Sequence, residues 1–265
     1  MRIYVSFKSL SLTFTVIGFG AVHLMKMMRM YLVLLEQRVS FKKFVLAYFR
    51  TTIANLLIPF KIGELYRIYV LGKITGNKQV GLFSVIVDRF FDTLALVIIL
   101  IPFELLVRRN LSFPAVALLG FVLIILFGYR MFPSAYEYLN HYIIVNKKSK
   151  RSMAALKSLE VLRALYQYVL DLVTGRHSLL TLLSFGVWMT ECLVLYLFAD
   201  AFGIPCSLET LAGYISSIFS TSPSRLTQSY TIFSIVVLLI GMLVSACVLN
   251  SKKHEEGKKG EKSSL

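Results

Sequence analysis

Apolar residues run through this chain in long blocks rather than in short alternations or narrow stripes. Five blocks, 10–35, 81–107, 113–132, 179–200 and 228–249, match the length of about 20 residues that a helix needs to cross a bilayer. Each predicts a full transmembrane span. The first block has a signal-peptide flavour, but no small-residue cleavage site follows it. Its apolar pattern continues through Met27–Leu35, so it reads as a retained span.

Two further apolar segments are interrupted. Residues 44–72 contain Arg50, Asn55, Pro59, Lys61, Gly63, Glu64 and Arg67, and residues 208–224 are short and end in Ser220-Thr221-Ser222-Pro223-Ser224. Proline and glycine at membrane depth are tolerated where the backbone is buried in protein or lines a wet cavity. Both segments therefore predict re-entrant hairpins or broken helices. One lies in each half of the chain: Pro59 is followed by Gly63 and Glu64, and Pro223 at the same offsets by Thr227 and Gln228. Paired interruptions of this kind mark a midplane site in repeat-built transporters. The predicted fold class is all-α, a polytopic transmembrane helix bundle of about five full spans plus two re-entrant or broken-helix hairpins.

The polar remainder sets the expected topology. Residues 1–250 form the transmembrane domain and include a basic loop at 134–178. From Arg130 to Arg176 the basic residues are Arg130, Lys147, Lys148, Lys150, Arg151, Lys157, Arg163 and Arg176, against Glu137, Glu160 and Asp171. Within this stretch Leu156, Leu159, Leu162, Tyr166 and Leu170 recur at helical spacing, which predicts an amphipathic helix on the cytoplasmic surface. The tail, 251–265, holds five lysines and three glutamates and predicts a disordered cytoplasmic segment. Asp200 and Glu209, with no basic residue beside them, place the loop after Phe198 outside. Counting back puts the N-terminus outside as well, and leaves Arg108 and Arg109 on the side that positive charge usually avoids. The chain reads as a multi-pass protein of the cell (plasma) membrane.

Composition agrees and narrows the function classes. Of 265 residues 57% are hydrophobic and 16% are charged, where a soluble domain carries about a quarter charged. No soluble catalytic domain fits inside these blocks. The net charge of +15 lies between the apolar blocks and in the tail, the distribution of a membrane protein facing anionic lipid rather than nucleic acid. Cys192, Cys206 and Cys247 lack metal spacing and read as small apolar residues in helices.

Charges retained inside apolar segments are the candidate chemistry, since each costs about 2.5–3.5 kcal/mol at a helix centre on insertion scales. Glu64 and Arg67 lie three apart on one helical face. Asp88 and Asp92 lie four apart, with Arg89 between them; Arg50 precedes Asn55, and Glu191 follows Trp188. Arginines beside a broken helix suit a phosphate-bearing headgroup, which guanidinium binds in bidentate fashion. Acidic neighbours keep such a site reversible. Arg29 and Glu104, near span ends, read as residues that snorkel to the interface. Asp88 and Asp92 offer a magnesium site for a membrane phosphotransferase, but no further Asp-rich motif accompanies them. His23, His141, His177 and His254 are scattered, and there is no nucleophile elbow, P-loop or dinucleotide fingerprint. No cofactor is implied.

The string Asn55-Leu56-Leu57-Ile58-Pro59-Phe60-Lys61-Ile62-Gly63-Glu64-Leu65-Tyr66-Arg67, followed by Asp88-Arg89-Phe90-Phe91-Asp92, resembles the lysylphosphatidylglycerol synthase transmembrane region, a flippase-like (UPF0104) membrane protein family. Trp188-Met189-Thr190-Glu191, the Phe202-Gly203-Ile204 turn and the segment ending at Pro223 follow in the family's order. The resemblance implies a module that binds and flips lipids or lipid-linked precursors with anionic or polar headgroups. By similarity Asn55, Pro59, Gly63, Glu64, Arg67, Arg89 and Asp92 line the site; the residue-level reading adds Arg50, Asp88 and Glu191. The family's soluble aminoacyl-transferase domain has no counterpart before Leu265, so aminoacyl transfer is expected to be absent. After Pro223 stands Ser224-Arg225-Leu226-Thr227-Gln228, where the family tends to a glycine-rich, Glu-containing stretch. The alternative function is a non-transporting scaffold for an envelope-biosynthesis enzyme such as a glycosyltransferase.

Overall fold

Long apolar blocks fold as long helices because a backbone in hydrocarbon must satisfy its own hydrogen bonds. The computed structural model describes residues 2–58, 62–107, 109–146, 150–206, 214 and 225–262. Among these there are seven α-helices and no strand: α1 (Arg2–Val33), α2 (Phe41–Leu57), α3 (Ile62–Thr75), α4 (Lys78–Val107), α5 (Phe113–Asn146), α6 (Lys150–Phe202) and α7 (Arg225–Lys262). The all-α membrane architecture is as the sequence predicts.

Four helical stretches are long and apolar enough to cross a membrane: Leu10–Val33, Phe113–Val145, Gly175–Phe202 and Arg225–Val248. The fifth expected span, 81–107, lies in α4, a continuous 30-residue helix that carries Asp88, Arg89, Asp92 and Glu104. The first interrupted segment is a helix–break–helix, α2 and α3 flanking 58–61. Pro59 and Lys61 lie outside the described residues, as does the second interrupted segment apart from Tyr214.

The polar stretches are helical where they are described. The loop at 134–178 is helical on both sides of 147–149: α5 passes through Pro133 to Asn146, and α6 begins at Lys150. One proline removes a single backbone bond, which a helix this long absorbs. The helix α7 continues to Lys262.

The chain forms two compact units. The first comprises Met1–Asp88 and Leu183–Leu265, the second Arg89–Leu182. In the first, Phe19, Val22, Ile53, Val187, Val194, Leu195, Phe198, Leu226, Tyr230 and Leu238 form one apolar core. Met30, Leu34, Val39, Phe44, Leu71, Val80 and Val85 form another. Along α1 the residues between Val22 of one core and Met30 of the other include His23, Lys26 and Arg29, so a polar layer separates the two. Gly203 (φ 64°) takes the left-handed conformation that ends α6, its N–H donating to Asp200 and that of Ile204 to Ala199.

In the second unit, α5 and the start of α6 pack through aromatic side chains. Tyr166 lies 5.0 Å from Tyr129 and 5.1 Å from Phe132 between ring centroids, and Arg163 sits 5.0 Å over the Tyr136 ring. The predicted amphipathic face is thus turned partly onto α5: Leu159 is buried and Leu156 and Tyr166 half-buried, while Leu162 and Leu170 stay exposed. Ile124 and Phe127 on α5 are 72% and 68% exposed, the surface a lipid-facing helix presents. At about 1.5 Å per residue α5 runs about 50 Å, well beyond a hydrocarbon core of about 30 Å.

Candidate functional site

The polar layer of the first unit is built on three cation–carboxylate pairs. Arg29 of α1 is 1% exposed and Asp88 of α4 is 2% exposed; Nε donates to Oδ1 at 2.7 Å, and Nη1 donates to Ser184 Oγ of α6 at 3.0 Å. Arg29 therefore does not snorkel. A short link to α4 and another to α6 hold it in the interior, where an unpaired charge would be prohibitive. Lys26 of α1 donates to Oε2 of Glu191 at 2.9 Å, and the Tyr230 hydroxyl of α7 donates to Oε1 of the same carboxylate at 2.9 Å. The His23 ring meets the Tyr48 hydroxyl of α2 at 3.0 Å.

The third pair sits at the break between α2 and α3. Arg67 is buried; its Nη1 lies 3.4 Å from Glu64 Oε2 and its Nη2 3.3 Å from Thr52 Oγ1. Asn55 Nδ2 donates to Glu64 Oε1 at 2.9 Å. Because a carboxylate only accepts, this bond fixes which end of the Asn55 amide is nitrogen. Two buried polar atoms have no hydrogen-bond partner among the described residues here: Arg67 Nε, a donor, and Asn55 Oδ1, an acceptor. Gly63 explains how α2 and α3 come so close. A Cβ at this position would collide with the Asn55 backbone, including its N at 2.8 Å.

The structure thus brings Asn55, Gly63, Glu64 and Arg67 together, and places Asp88 and Glu191 in the same polar layer with different partners. His23 is within electrostatic range of both Lys26 and Arg67, and Tyr48 of Arg67, Asp88 and Arg29. Arg50 is exposed and lies 5.7 Å over the Tyr66 ring instead. Arg89 and Asp92 belong to the second unit, 3.6 Å apart on α4. There too Glu104 is 1% exposed and does not snorkel: it accepts from the backbone N–H and the hydroxyl of Ser112, each at 2.7 Å. Ser112 Oγ in turn accepts from Ala115 N–H at the start of α5.

Sequence reasoning missed His23, Lys26, Tyr48 and Tyr230. A signal for the first two existed: His23, Lys26 and Arg29 recur every three residues inside the apolar block, which aligns them along one side of α1. Asp88 and Asp92, paired on paper as a metal site, face different partners, Arg29 and Arg89. No group of three or more metal-type ligands occurs among the described residues.

Comparison with known proteins agrees with this architecture. The family model of the lysylphosphatidylglycerol synthase transmembrane region matches residues 3–250. A UPF0104 membrane protein of Methanocaldococcus jannaschii is 29% identical over 179 residues, covering 63% of this chain and 68% of that one. No solved structure matches. With nearly its whole length matched, the chain belongs to the lysylphosphatidylglycerol synthase transmembrane-region family of multi-pass membrane proteins.

Proposed function

We propose that this membrane protein binds and translocates a lipid or lipid-linked substrate with an anionic or polar headgroup, and that Arg67, Glu64 and Asn55 receive the headgroup. The observation that supports this most is a pair of buried atoms with no hydrogen-bond partner among the described residues, Arg67 Nε and Asn55 Oδ1. A buried donor left without a partner costs about 1–3 kcal/mol, so such atoms persist where something else completes them. A phosphate oxygen suits Arg67 Nε, and a headgroup hydroxyl suits Asn55 Oδ1. Glu64 at 3.4 Å is a long contact for a charge-assisted bond, so an incoming phosphate can compete for the guanidinium and then leave.

The test is headgroup accessibility of fluorescent phosphatidylglycerol and phosphatidylcholine in proteoliposomes, wild type beside Arg67→Ala. Movement that the substitution removes supports the reading, and phosphatidylglycerol is expected to move faster. No movement of either lipid by folded, inserted wild type refutes it for these headgroups. The length of α5 and the basic residues at the start of α6 favour a second reading, a cytoplasmic platform for an envelope-biosynthesis enzyme. Co-purification of an enzyme that survives Arg67→Ala and is lost on removing charge from 147–176 would support that one. In either reading the stretch 134–178 and the C-terminus lie on the cytoplasmic side of the cell membrane.

A further inference from the structure

Two neighbouring threonines on α2 are used differently. Thr51 Oγ1 donates to the Ala47 carbonyl at 2.8 Å, the back-bond by which a helical threonine satisfies its own hydroxyl. Thr15, Thr75 and Thr93 do the same in α1, α3 and α4. Thr52 is buried and makes no such back-bond among the described residues; its Oγ1 accepts from Arg67 Nη2 at 3.3 Å instead. One turn earlier on α2, the Tyr48 hydroxyl is within side-chain hydrogen-bonding reach of Thr52, and it meets His23 Nδ1 of α1 at 3.0 Å. The His23 ring packs in turn on Phe19, 4.4 Å between centroids.

A series of side chains from α1 and α2 therefore ends on one nitrogen of the Arg67 guanidinium. That group is planar, and its N–H bonds form a rigid fork. Fixing two of its nitrogens fixes where the third points. Glu64 lies at Nη1, 3.4 Å away, and Thr52 at Nη2. The third nitrogen, Nε, is the one with no hydrogen-bond partner among the described residues.

We propose that Thr52, supported by Tyr48 and His23, is a positioning residue for Arg67 and sets the direction in which Nε meets a headgroup phosphate; the phosphate's part rests on the translocation reading above. Arginine only donates, so the Thr52 oxygen takes a hydrogen of Nη2 and its own hydrogen goes to the Tyr48 oxygen. The Tyr48 hydrogen goes to His23 Nδ1, which puts the ring hydrogen of His23 on Nε2. Thr52, Tyr48 and His23 act through Arg67 and need not touch the lipid.

Guanidinium nitrogen NMR of isotope-labelled protein in detergent reads this orientation without a transport assay, the Arg67 signals being assigned by their loss in Arg67→Lys. Wild type is expected to give separate Nη1 and Nη2 signals, the mark of a guanidinium that does not rotate. Thr52→Val is expected to merge them, and Thr52→Ser, which keeps the hydroxyl, to restore the separation. Should Thr52→Val fail to fold, Tyr48→Phe is expected to speed the exchange between the two signals. Merged signals in wild type, or separation untouched by these substitutions, overturn the proposal. Vesicles of phosphatidylcholine with increasing fluorescent phosphatidylglycerol then test what the orientation is for. Thr52→Val is expected to raise the half-saturating lipid fraction about tenfold, the scale of one hydrogen bond to a charged group, and to change the maximal rate less. Thr52→Ser should return the half-saturating fraction to near the wild-type value. A lower maximal rate with half-saturation unchanged marks a merely structural role and overturns the proposal. Tyr48→Phe should shift half-saturation less, and add nothing to Thr52→Val in the double variant, because it acts through Thr52; additive shifts remove Tyr48 from the series. Wild type that moves no lipid, while its spectra show the Thr52-dependent restraint, refutes translocation and leaves the positioning of Arg67 standing.

Discussion

The Arg29–Asp88 crossing and the α2–α3 break each bury an arginine against a carboxylate, yet they are built for different ends. At the crossing the bond is short, 2.7 Å, both groups are almost fully enclosed, and Ser184 occupies a further donor of Arg29. At the break the contact is 3.4 Å, Glu64 keeps 15% of its side chain exposed, and among the described residues a donor and an acceptor have no partner. A closed, saturated pair positions helices. A long, incompletely satisfied one at a helix interruption can exchange partners. The same two residue types therefore serve packing in one place and binding in the other, and the surrounding hydrogen bonds decide which.

The largest effect tests the closed pair. Arg29→Ala leaves Asp88 charged and buried and is expected to cost about 3–5 kcal/mol. That should appear as a large fall in the melting temperature of detergent-solubilised protein, or as loss of the folded peak. Replacing both partners with apolar residues, Arg29→Met with Asp88→Leu, should recover most of the loss, because two well-packed apolar groups need no counter-charge. A stable single variant would mean that Asp88 is not held by Arg29.

Next comes Gly63→Ala. The added methyl would meet the main chain of Asn55 as well as its side-chain Oδ1, and because the main chain cannot swing aside, α2 and α3 must separate. Overpacking of this kind costs about 1–3 kcal/mol. The variant should also lose lipid movement, since the separation displaces Asn55 from Glu64. Wild-type melting and transport in this variant would show that the crossing is looser than the close approach implies.

This hairpin was legible in the sequence because its polar residues interrupt an apolar block, and interruption is a local signal. Arg29 was not. Its spacing with Lys26 and His23 is visible, but its partner Asp88 is 59 residues away and Ser184 farther still. Without those partners, a cation near the end of an apolar block reads as one that snorkels. Glu104 was misread for a related reason: its partner is a backbone N–H, which carries no sequence signature. The helical continuation through Pro133 was hidden because a proline signals a boundary locally. The length of the helix outweighs it.

Arg67→Gln separates stability from function at the break. Glu64 keeps its bond to Asn55 and partial solvent contact, so the expected loss is under about 2 kcal/mol, smaller than at Arg29. Lipid movement is expected to fall at least tenfold, with folding intact by size exclusion. A variant that moves lipid at the wild-type rate would remove Arg67 from the headgroup site, whatever its burial.

Arg50→Ala should have the smallest effect and sharpens the comparison from outside. Sequence reading placed Arg50 among the headgroup residues, one helical stretch before Asn55. In the structure it is exposed and its guanidinium lies 5.7 Å over Tyr66, a contact worth about 0.5–1 kcal/mol at an exposed position. If headgroup binding needs enclosure, Arg50→Ala should leave melting within about that amount and reduce lipid movement far less than Arg67→Gln. If the rate instead falls as steeply, Arg50 meets the headgroup on its way to Arg67. The comparison would then lie between an outer and an inner arginine of one path, with Tyr66 holding the outer one in place until lipid arrives.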